Sequence, residues 1–360
     1  MVRVWPKGFS AMAWTIPQHS RRQVDLAGQT LINGASTPGY EESLTVINNW
    51  RSSHALPLQY LKVALVMRAR RVDRTATIAQ RLKRLVSIYA KLTRFERMRL
   101  SQMQDLGGCR AVVTTVDMVE KLVASFERSI AKRPNEGPLL VRKDDYIKCP
   151  KEDGYRGVHL IYKYRSKVES RKSFNGLLIE IQLRSRLQHA WATAVETVDV
   201  FTEQALKSNI GKASWKRFFA LMGSAIAIRE KQPLVQGTPI NVSDLRQELL
   251  PLTHELKIES VLEGYSFVMT TILGRRKDAY MFLLVLDVIE RTVEVSTFQS
   301  NELEKATARY LLKEKEIANR PSVQAVLVQV SSIQALRTAY PNFYVDTTLF
   351  RKAIQQALSE

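Results

Sequence analysis

Cysteine is scarce: the 360 residues hold two, Cys109 and Cys149. So few thiols exclude a disulfide-stapled scaffold, and with five scattered histidines they offer no ligand pairs at zinc spacing. No stretch approaches the ~18 apolar residues of a membrane span. The longest candidate, AYMFLLVLDVI, is interrupted by Asp287 and reads as a buried strand. The opening MVRVWPKGFSAMAWTIPQHSRR has no unbroken apolar core of the kind a secretory signal needs. These absences point to a reducing cytoplasm. Internal repeats and low-complexity tracts are missing too. Acid is the last shortage: 35 Asp and Glu face 54 Lys and Arg, a net charge of +19. That excess favours polyanionic partners such as nucleotides or nucleic acid.

What is present reads as helices packed on a sheet. Residues 1–44 are an N-terminal extension with Gly34, Pro38 and Gly39 as breakers. From Pro38 to Phe95 the pattern is helical, with Leu82, Leu85, Val86, Tyr89 and Leu92 at helix spacing. Between Lys62 and Arg110 thirteen basic residues stand against three acidic ones, so the charge excess concentrates there. CRAVVTTV, VHLIYKYR and Leu178–Leu183 read as strands, and Ser185 as the cap of a helix that follows the third. KQPLVQGTPINVS, residues 231–243, reads as a boundary between a domain at 45–232 and a second unit at 244–360. In that unit a helix near Ser243–Leu262 precedes strands YMFLLVLDVI and TVEVSTF, a charged helix from Asn301 to Ile317, strand VQAVLVQVSS and a last helix to Leu358.

Three segments carry possible chemistry. In QDLGGCRAVV, Asp105 precedes two glycines and a strand, a placement that suits Mg²⁺ held against phosphates and equally suits a simple turn. In DYIKCPKEDGYRGVHLIYKY, Lys148, Lys151 and Arg156 surround Gly154 and Tyr155. An exposed Tyr155 there would offer a stacking surface beside cations, or it packs back on the sheet. His159 follows on the strand, where a lone histidine is more often structural. In LLIEIQLRSRLQHAW, Glu180, Gln182 and Arg184 fall on one strand face, because strand side chains repeat with period two. Glu180 is suited to general-base work or a second metal ligand, and Gln182 and Arg184 to phosphate or ribose oxygens.

In order, RLKRLVSIYAK, DLGGCR, KEDGYRGVH and EIQLRSRLQHAW resemble the synthetase domain of the RelA/SpoT-homologue family over about residues 45 to 230. The matching positions are Arg81, Lys83, Ser87, Lys91, Asp105, Gly108, Arg110, Lys151, Gly154, Tyr155, Arg156, His159, Glu180, Gln182 and Arg184. The resemblance implies an α+β fold, a nucleotidyltransferase-like mixed sheet flanked by helices, with a small C-terminal α/β regulatory domain. It implies transfer of the β,γ-pyrophosphate of ATP to a ribose 3′-hydroxyl, with Mg²⁺ as cofactor. By the same resemblance Asp105 and Glu180 are metal ligands, and these two with Tyr155 are the catalytic residues. Tyr155 would stack on the acceptor base. Arg81, Lys83, Lys91, Arg110, Lys151, Arg156, His159, Gln182 and Arg184 would bind ATP and phosphate. Two positions depart from the pattern: Asp153 replaces an Asn, and Gly157 a Ser, both around the acceptor pocket.

Within that family the chain most resembles the toxic branch, in particular the fused toxin–antitoxin form CapRel. That likeness implies modification of the 3′-CCA adenosine of tRNA, which blocks translation. It also implies inhibition by the C-terminal, pseudo zinc finger-like unit until a phage protein, such as a capsid protein, binds. Tyr340, Phe343 and Tyr344 around a Pro-Asn turn are candidates to enter the adenine slot, or are ordinary core. Membrane and DNA are not expected partners. The long family members' hydrolase motif, a His-Asp pair, is missing from the sequence. Two other readings stand beside this one: an alarmone synthetase acting on GDP, GTP or adenosine nucleotides, and a catalytically inactive RNA-binding protein.

Overall fold

The computed structural model describes residues 14–132, 137–205, 212–256, 258, 262, 281–287, 292–299, 302–317, 320, 323–329 and 347–359. Three helices open it: α1 (Arg21–Asn33), α2 (Tyr40–Ser53) and α3 (Ala55–Val72). Then follow β1 (Thr77–Leu82), α4 (Leu85–Arg94), β2 (Gly107–Val113), α5 (Val116–Lys132), β3 (Leu139–Asp145), β4 (Val158–Lys163) and β5 (Leu178–Ser185). Helices α6 (Arg186–Ala205), α7 (Lys212–Glu230) and α8 (Val242–Glu255) come next. The remainder comprises β6 (Met281–Asp287), β7 (Thr292–Phe298), α9 (Leu303–Glu316), β8 (Val323–Gln329) and α10 (Thr348–Ser359). Among the described residues no helix is long and apolar enough to cross a membrane.

Five strands in the order β3-β4-β5-β2-β1 form a mixed sheet, in which β2 and β5 run parallel and the other neighbours antiparallel. The sheet continues past β1 through β8, β6 and β7. Its two faces differ sharply. On one, Ile179, Ile181 and Leu183 of β5 align with Cys109, Ala111 and Val113 of β2 and with Val158, Leu160 and Tyr162 of β4. Leu58, Leu61 and Leu65 of α3 and Val119, Leu122 and Phe126 of α5 cover them. The alternate residues, polar on β5, face the other side. Strand periodicity thus forces the charged set into one register once the apolar set is buried.

The helical reading of residues 38–95 needs correction. Thr77–Leu82 is a strand, paired along its length with β2. Ile78 and Leu82 sit at helix spacing, but four residues apart they also share a strand face, and pairing with a buried neighbour decides for strand. The basic stretch from Arg68 to Arg99 is therefore not one helical surface. Its exposed cations form two groups: Arg70, Arg71 and Arg74 around the end of α3, and Arg94, Arg97 and Arg99 from the last residue of α4 onward. β3, lying on the edge, was not anticipated, so Glu180 stands on the fifth strand rather than a third. Ser185 does cap α6: its Oγ accepts the Gln188 N–H at 3.1 Å, and Gln188 Oε1 accepts the Ser185 N–H at 3.1 Å.

Residues 231–243 connect α7 to α8, which pack together. Leu245 and Leu249 of α8 and Phe350, Ala353 and Ile354 of α10 share one apolar core with Trp191 of α6 and Phe218 and Leu221 of α7. On the opposite flank α9 meets the N-terminal helices. Arg51, 1% exposed, donates from both Nη atoms to Glu314 Oε2 at 2.9 Å and lies over the Tyr310 ring. Glu314 Oε1 accepts the Tyr310 hydroxyl at 2.6 Å and the Leu85 N–H at 3.3 Å, so it also caps α4.

His54, between α2 and α3, is buried, with Nδ1 2.7 Å from the Trp50 carbonyl. Burial lowers its pKa to about 4 against a backbone hydrogen bond that raises it. A histidine depressed in the folded state takes up its proton first in the unfolded chain. Stability is therefore expected to fall as pH drops from about 6.5 to about 4, by roughly 3 kcal/mol from this group. Denaturant titrations of the wild type and His54→Gln across that range check this; the variant should show the shallower dependence.

Candidate active site

Asp105 lies in the turn that leads into β2. Leu100, Met103 and Leu106 are buried around it, and Asp25 of α1 pins the segment by accepting the Ser101 N–H at 2.8 Å. The Lys83 N–H donates to the Leu106 carbonyl at 2.8 Å, which locks the end of β1 to this turn. Both oxygens of Asp105 are engaged, Oδ2 by Lys83 Nζ and Oδ1 by Lys91 Nζ, each at 2.9 Å. Burial works to raise the Asp105 pKa, but the two ammonium groups outweigh it and hold the carboxyl below its ordinary range.

Glu180 stands at the centre of the polar sheet face. Its Oε1 is 2.9 Å from His159 Nδ1, and its Oε2 accepts from Gln182 Nε2 at 2.7 Å. Burial again pushes the carboxyl up, and the His159 and Gln182 contacts bring it below the usual value. Asp105 acts on Glu180 in the opposite sense, as one negative charge on another, so the two carboxylates share one field. The register places Arg81, Gly108 and Glu180 side by side across β1, β2 and β5, with Ala79, Arg110 and Gln182 in the next row. A Cβ on Gly108 would meet nothing nearer than 3.9 Å. The glycine thus leaves open space between a guanidinium and a carboxylate.

The loop before β4 brings the aromatic side of the site. Asp153 Oδ1 accepts the Tyr155 N–H at 2.9 Å, a turn that an Asn could make equally. Gly154 has φ +95°, and a Cβ there would fall 2.6 Å from the Phe219 carbonyl of α7. Gly157 has φ +148°, and its Cβ would lie 3.1 Å from Arg184 Cγ. The departure at 157 therefore lets Arg184 lie close against the backbone. Of the two sequence readings of Tyr155, an exposed platform or a ring packed back, the structure is nearer the second. Tyr155 is half-buried, with the Arg184 guanidinium 4.9 Å and Lys151 Nζ 5.1 Å from its ring centroid. Tyr146, His159 and Trp191 meet it edge-on.

Arg156 is the second correction. It is buried, and its guanidinium donates to the carbonyls of Ile147, Gly223 and Pro233. It ties the loop to the end of α7 and does not face the carboxylates. A basic residue next to Tyr155 reads as a phosphate ligand until the fold supplies three carbonyls for it. Arg184 is buried too, but faces the site; its Nε and Nη1 have no hydrogen-bond partner among the described residues. Buried donors without acceptors mark a place where a ligand oxygen fits. Tyr340, Phe343 and Tyr344 lie outside the described residues.

Sequence reasoning missed Tyr146. Its ring is 5.2 Å from His159, and Lys151 Nζ lies 4.5 Å from its centroid, so it lines the same aromatic wall as Tyr155. No periodicity marks it, because it sits just past the end of β3; only its place directly before the basic loop hints at a role.

Residues 80–200 match a family described as "Region found in RelA / SpoT proteins". The likeness is confined to this stretch of the chain. That region holds every sequence-predicted catalytic and phosphate-binding residue, from Arg81 on β1 to Arg184 on β5. The GTP pyrophosphokinase YjbM of Bacillus subtilis (strain 168) is 30% identical over 118 residues, which are 32% of this chain and 52% of that protein. The chain thus aligns with about half the length of this curated relative. Among solved structures, the small alarmone synthetase 1 of Bacillus subtilis bound to its product pppGpp is 24% identical, with a TM-score of 0.38. It is matched over 49% of this chain and 88% of its own. A GTP pyrophosphokinase family protein from Streptococcus pneumoniae is 21% identical over 54% of this chain and 91% of its own, with a TM-score of 0.39.

Proposed function

We propose that the RelA/SpoT-type region is a pyrophosphokinase that transfers the β,γ-pyrophosphate of ATP to a ribose 3′-hydroxyl. The observation that carries this is the pair Asp105 and Glu180 in one electrostatic field on a cationic sheet face, beside the opening at Gly108. A surface built only to bind polyanions gains nothing from half-buried carboxylates.

The reaction forms a bond between the acceptor O3′ and the β-phosphorus. It breaks the bond from that phosphorus to the oxygen bridging to the α-phosphate, which leaves with AMP. The hydroxyl proton passes to Glu180. Arg81, Lys83, Lys91 and Arg110 neutralise the triphosphate, and Arg184 offers its two unpartnered donors to phosphate or ribose oxygens. Asp105 and Glu180 fit Mg²⁺ as hard oxygen donors, though among the described residues no cluster of three or more metal-ligating side chains occurs, so phosphate oxygens would complete the shell. Such an ion would neutralise charge on the transferred group. Lys83 and Lys91 hold Asp105 until then and are placed to turn to the phosphates.

The acceptor we favour is the 3′-CCA adenosine of tRNA. The net charge of +19 and the exposed arginines at 70, 71, 74, 94, 97 and 99 suit a phosphate backbone, whereas a free nucleotide needs few such contacts. In this reading the chain is an autoinhibited anti-phage toxin–antitoxin fusion. The unit from 244 holds the site in check through Tyr340, Phe343 and Tyr344 until a phage protein binds. Synthesis of (p)ppGpp is the second reading, favoured by the name of the curated relative.

Incubation with γ-labelled ATP, bulk tRNA, GDP and AMP tests this. Label on the tRNA 3′ end supports the tRNA reading, and label on GDP or AMP replaces it with alarmone synthesis. No transfer by the wild type, or by a Tyr340→Ala, Phe343→Ala, Tyr344→Ala triple variant, overturns the enzyme. Truncation after Glu230 is a poor probe of inhibition, because α8 and α10 would be stripped from the core they share with α6 and α7.

A further inference from the structure

Five side chains, Glu180 among them, close a hydrogen-bonded ring. Arg184 Nη2 donates to the Tyr155 hydroxyl at 2.8 Å and to Gln182 Oε1 at 3.2 Å. The Tyr155 hydroxyl is 2.5 Å from His159 Nε2. His159 Nδ1 meets Glu180 Oε1 at 2.9 Å, and Gln182 Nε2 donates to Glu180 Oε2 at 2.7 Å. The bonds at the two ends have fixed directions. A guanidinium only donates and a carboxylate only accepts. Two arms therefore run from Arg184 to Glu180, one through Tyr155 and His159, the other through Gln182. On the first, the Tyr155 oxygen accepts from Arg184 and its proton points to Nε2. The carboxylate accepts, so His159 carries a hydrogen on Nδ1, and a neutral ring takes the Tyr155 proton at Nε2.

The arms differ in stiffness. Tyr155 and His159 are rings packed edge to face, with centroids 5.6 Å apart, and both meet Tyr146 edge-on. Gln182 is a flexible amide. Oε1 of Glu180 is thus held by a chain of two packed rings, and Oε2 by an amide on a side chain with more rotatable bonds.

We propose that His159 is a positioning residue rather than a phosphate ligand: braced by the Tyr155 hydroxyl, it fixes Oε1 so that Oε2 is the oxygen presented to the incoming 3′-hydroxyl. This rests on the pyrophosphokinase reading and adds a device to it. The aromatic wall that receives the acceptor is wired to the carboxylate that meets the acceptor's hydroxyl. A poorly seated acceptor disturbs Tyr155 and, through His159, misaims Glu180.

Steady-state transfer on whichever acceptor the wild type labels tests the proposal. His159→Ala is expected to lower kcat about 10- to 100-fold, with the KM of ATP and acceptor within about threefold. His159→Asn, whose amide N–H stands near the place of Nδ1, should recover most of that loss. Tyr155→Phe keeps the ring and loses the brace, so kcat should fall about tenfold at unchanged acceptor KM. A His159→Ala enzyme with raised KM and normal kcat would make His159 a substrate ligand and overturn the proposal, as would equal kcat for the Ala and Asn variants. Nitrogen-15 spectra of the histidine rings give a readout independent of turnover and of variant folding. A neutral His159 with its proton on Nδ1 supports the ring as drawn, and a proton on Nε2 sinks it. A wild type that transfers to no acceptor counts against the pyrophosphokinase reading instead, and the spectra still decide the ring.

Discussion

Glu180→Gln is expected to reduce pyrophosphate transfer about 10²- to 10⁴-fold while the protein stays folded, the range associated with loss of a positioned base. The substitution keeps the size of the side chain and its place on β5. It removes the charge that both arms of the hydrogen-bonded ring converge on, and it sets an amide against the donors of His159 and Gln182. Asp105→Asn should give a loss of similar order for a different reason: Lys83 and Lys91 would keep two partly buried ammonium groups with no counter-charge between them. Because the two carboxylates share one field, the double variant should cost far less than the product of the singles. Single-turnover transfer from labelled ATP, with thermal melts run alongside, provides the measurement. A Glu180→Gln protein with more than a tenth of wild-type turnover removes Glu180 from the mechanism.

The second large effect is on stability. Glu314→Ala is expected to cost about 3–5 kcal/mol, because it leaves the buried Arg51 guanidinium without its anion. The same change removes the carboxylate from the Leu85 N–H at the head of α4, the helix that supplies Lys91. Both effects act where α9 meets the N-terminal helices, so the loss should appear as separate release of the C-terminal strands before global unfolding. Hydrogen exchange on β6, β8 and α9 reads this out. Replacing the pair by Arg51→Met and Glu314→Leu should restore most of the stability, since well-packed apolar groups often match a buried ion pair. If Glu314→Ala is neutral, the contact does not hold the two parts together.

The grouping of the candidate site residues was legible where strand alternation dictates it. Glu180, Gln182 and Arg184 declare themselves by alternation with Ile179, Ile181 and Leu183, and the structure buries that apolar set beneath α3 and α5. Asp105 was legible through the glycines that follow it. β1 was not, because Ile78 and Leu82 satisfy two periods at once and only the pairing with β2 resolves them. β3 was not, because it is half solvent-exposed and polar, with a single neighbour in the sheet. Arg156 was misread because its carbonyl partners come from residues 147, 223 and 233, a distance along the chain that local pattern cannot bridge. Glu314 looked like one more solvated charge on a charged helix, and its partner lies 263 residues away.

The continuation of the sheet past β1 has a consequence for solution behaviour. A bare β1 would offer unsatisfied backbone groups to any extended peptide or second molecule, and Gln80 instead pairs with Gln329 of β8. At the far margin, β3 carries Arg142, Lys143 and Asp144 in a row, and its one register irregularity falls between Leu140 and Arg142. Charge and a local kink together discourage strand addition there. Continuation through β8 and β6 thus moves one open border from β1 to β7, while at the other, β3, electrostatics resists edge-to-edge association.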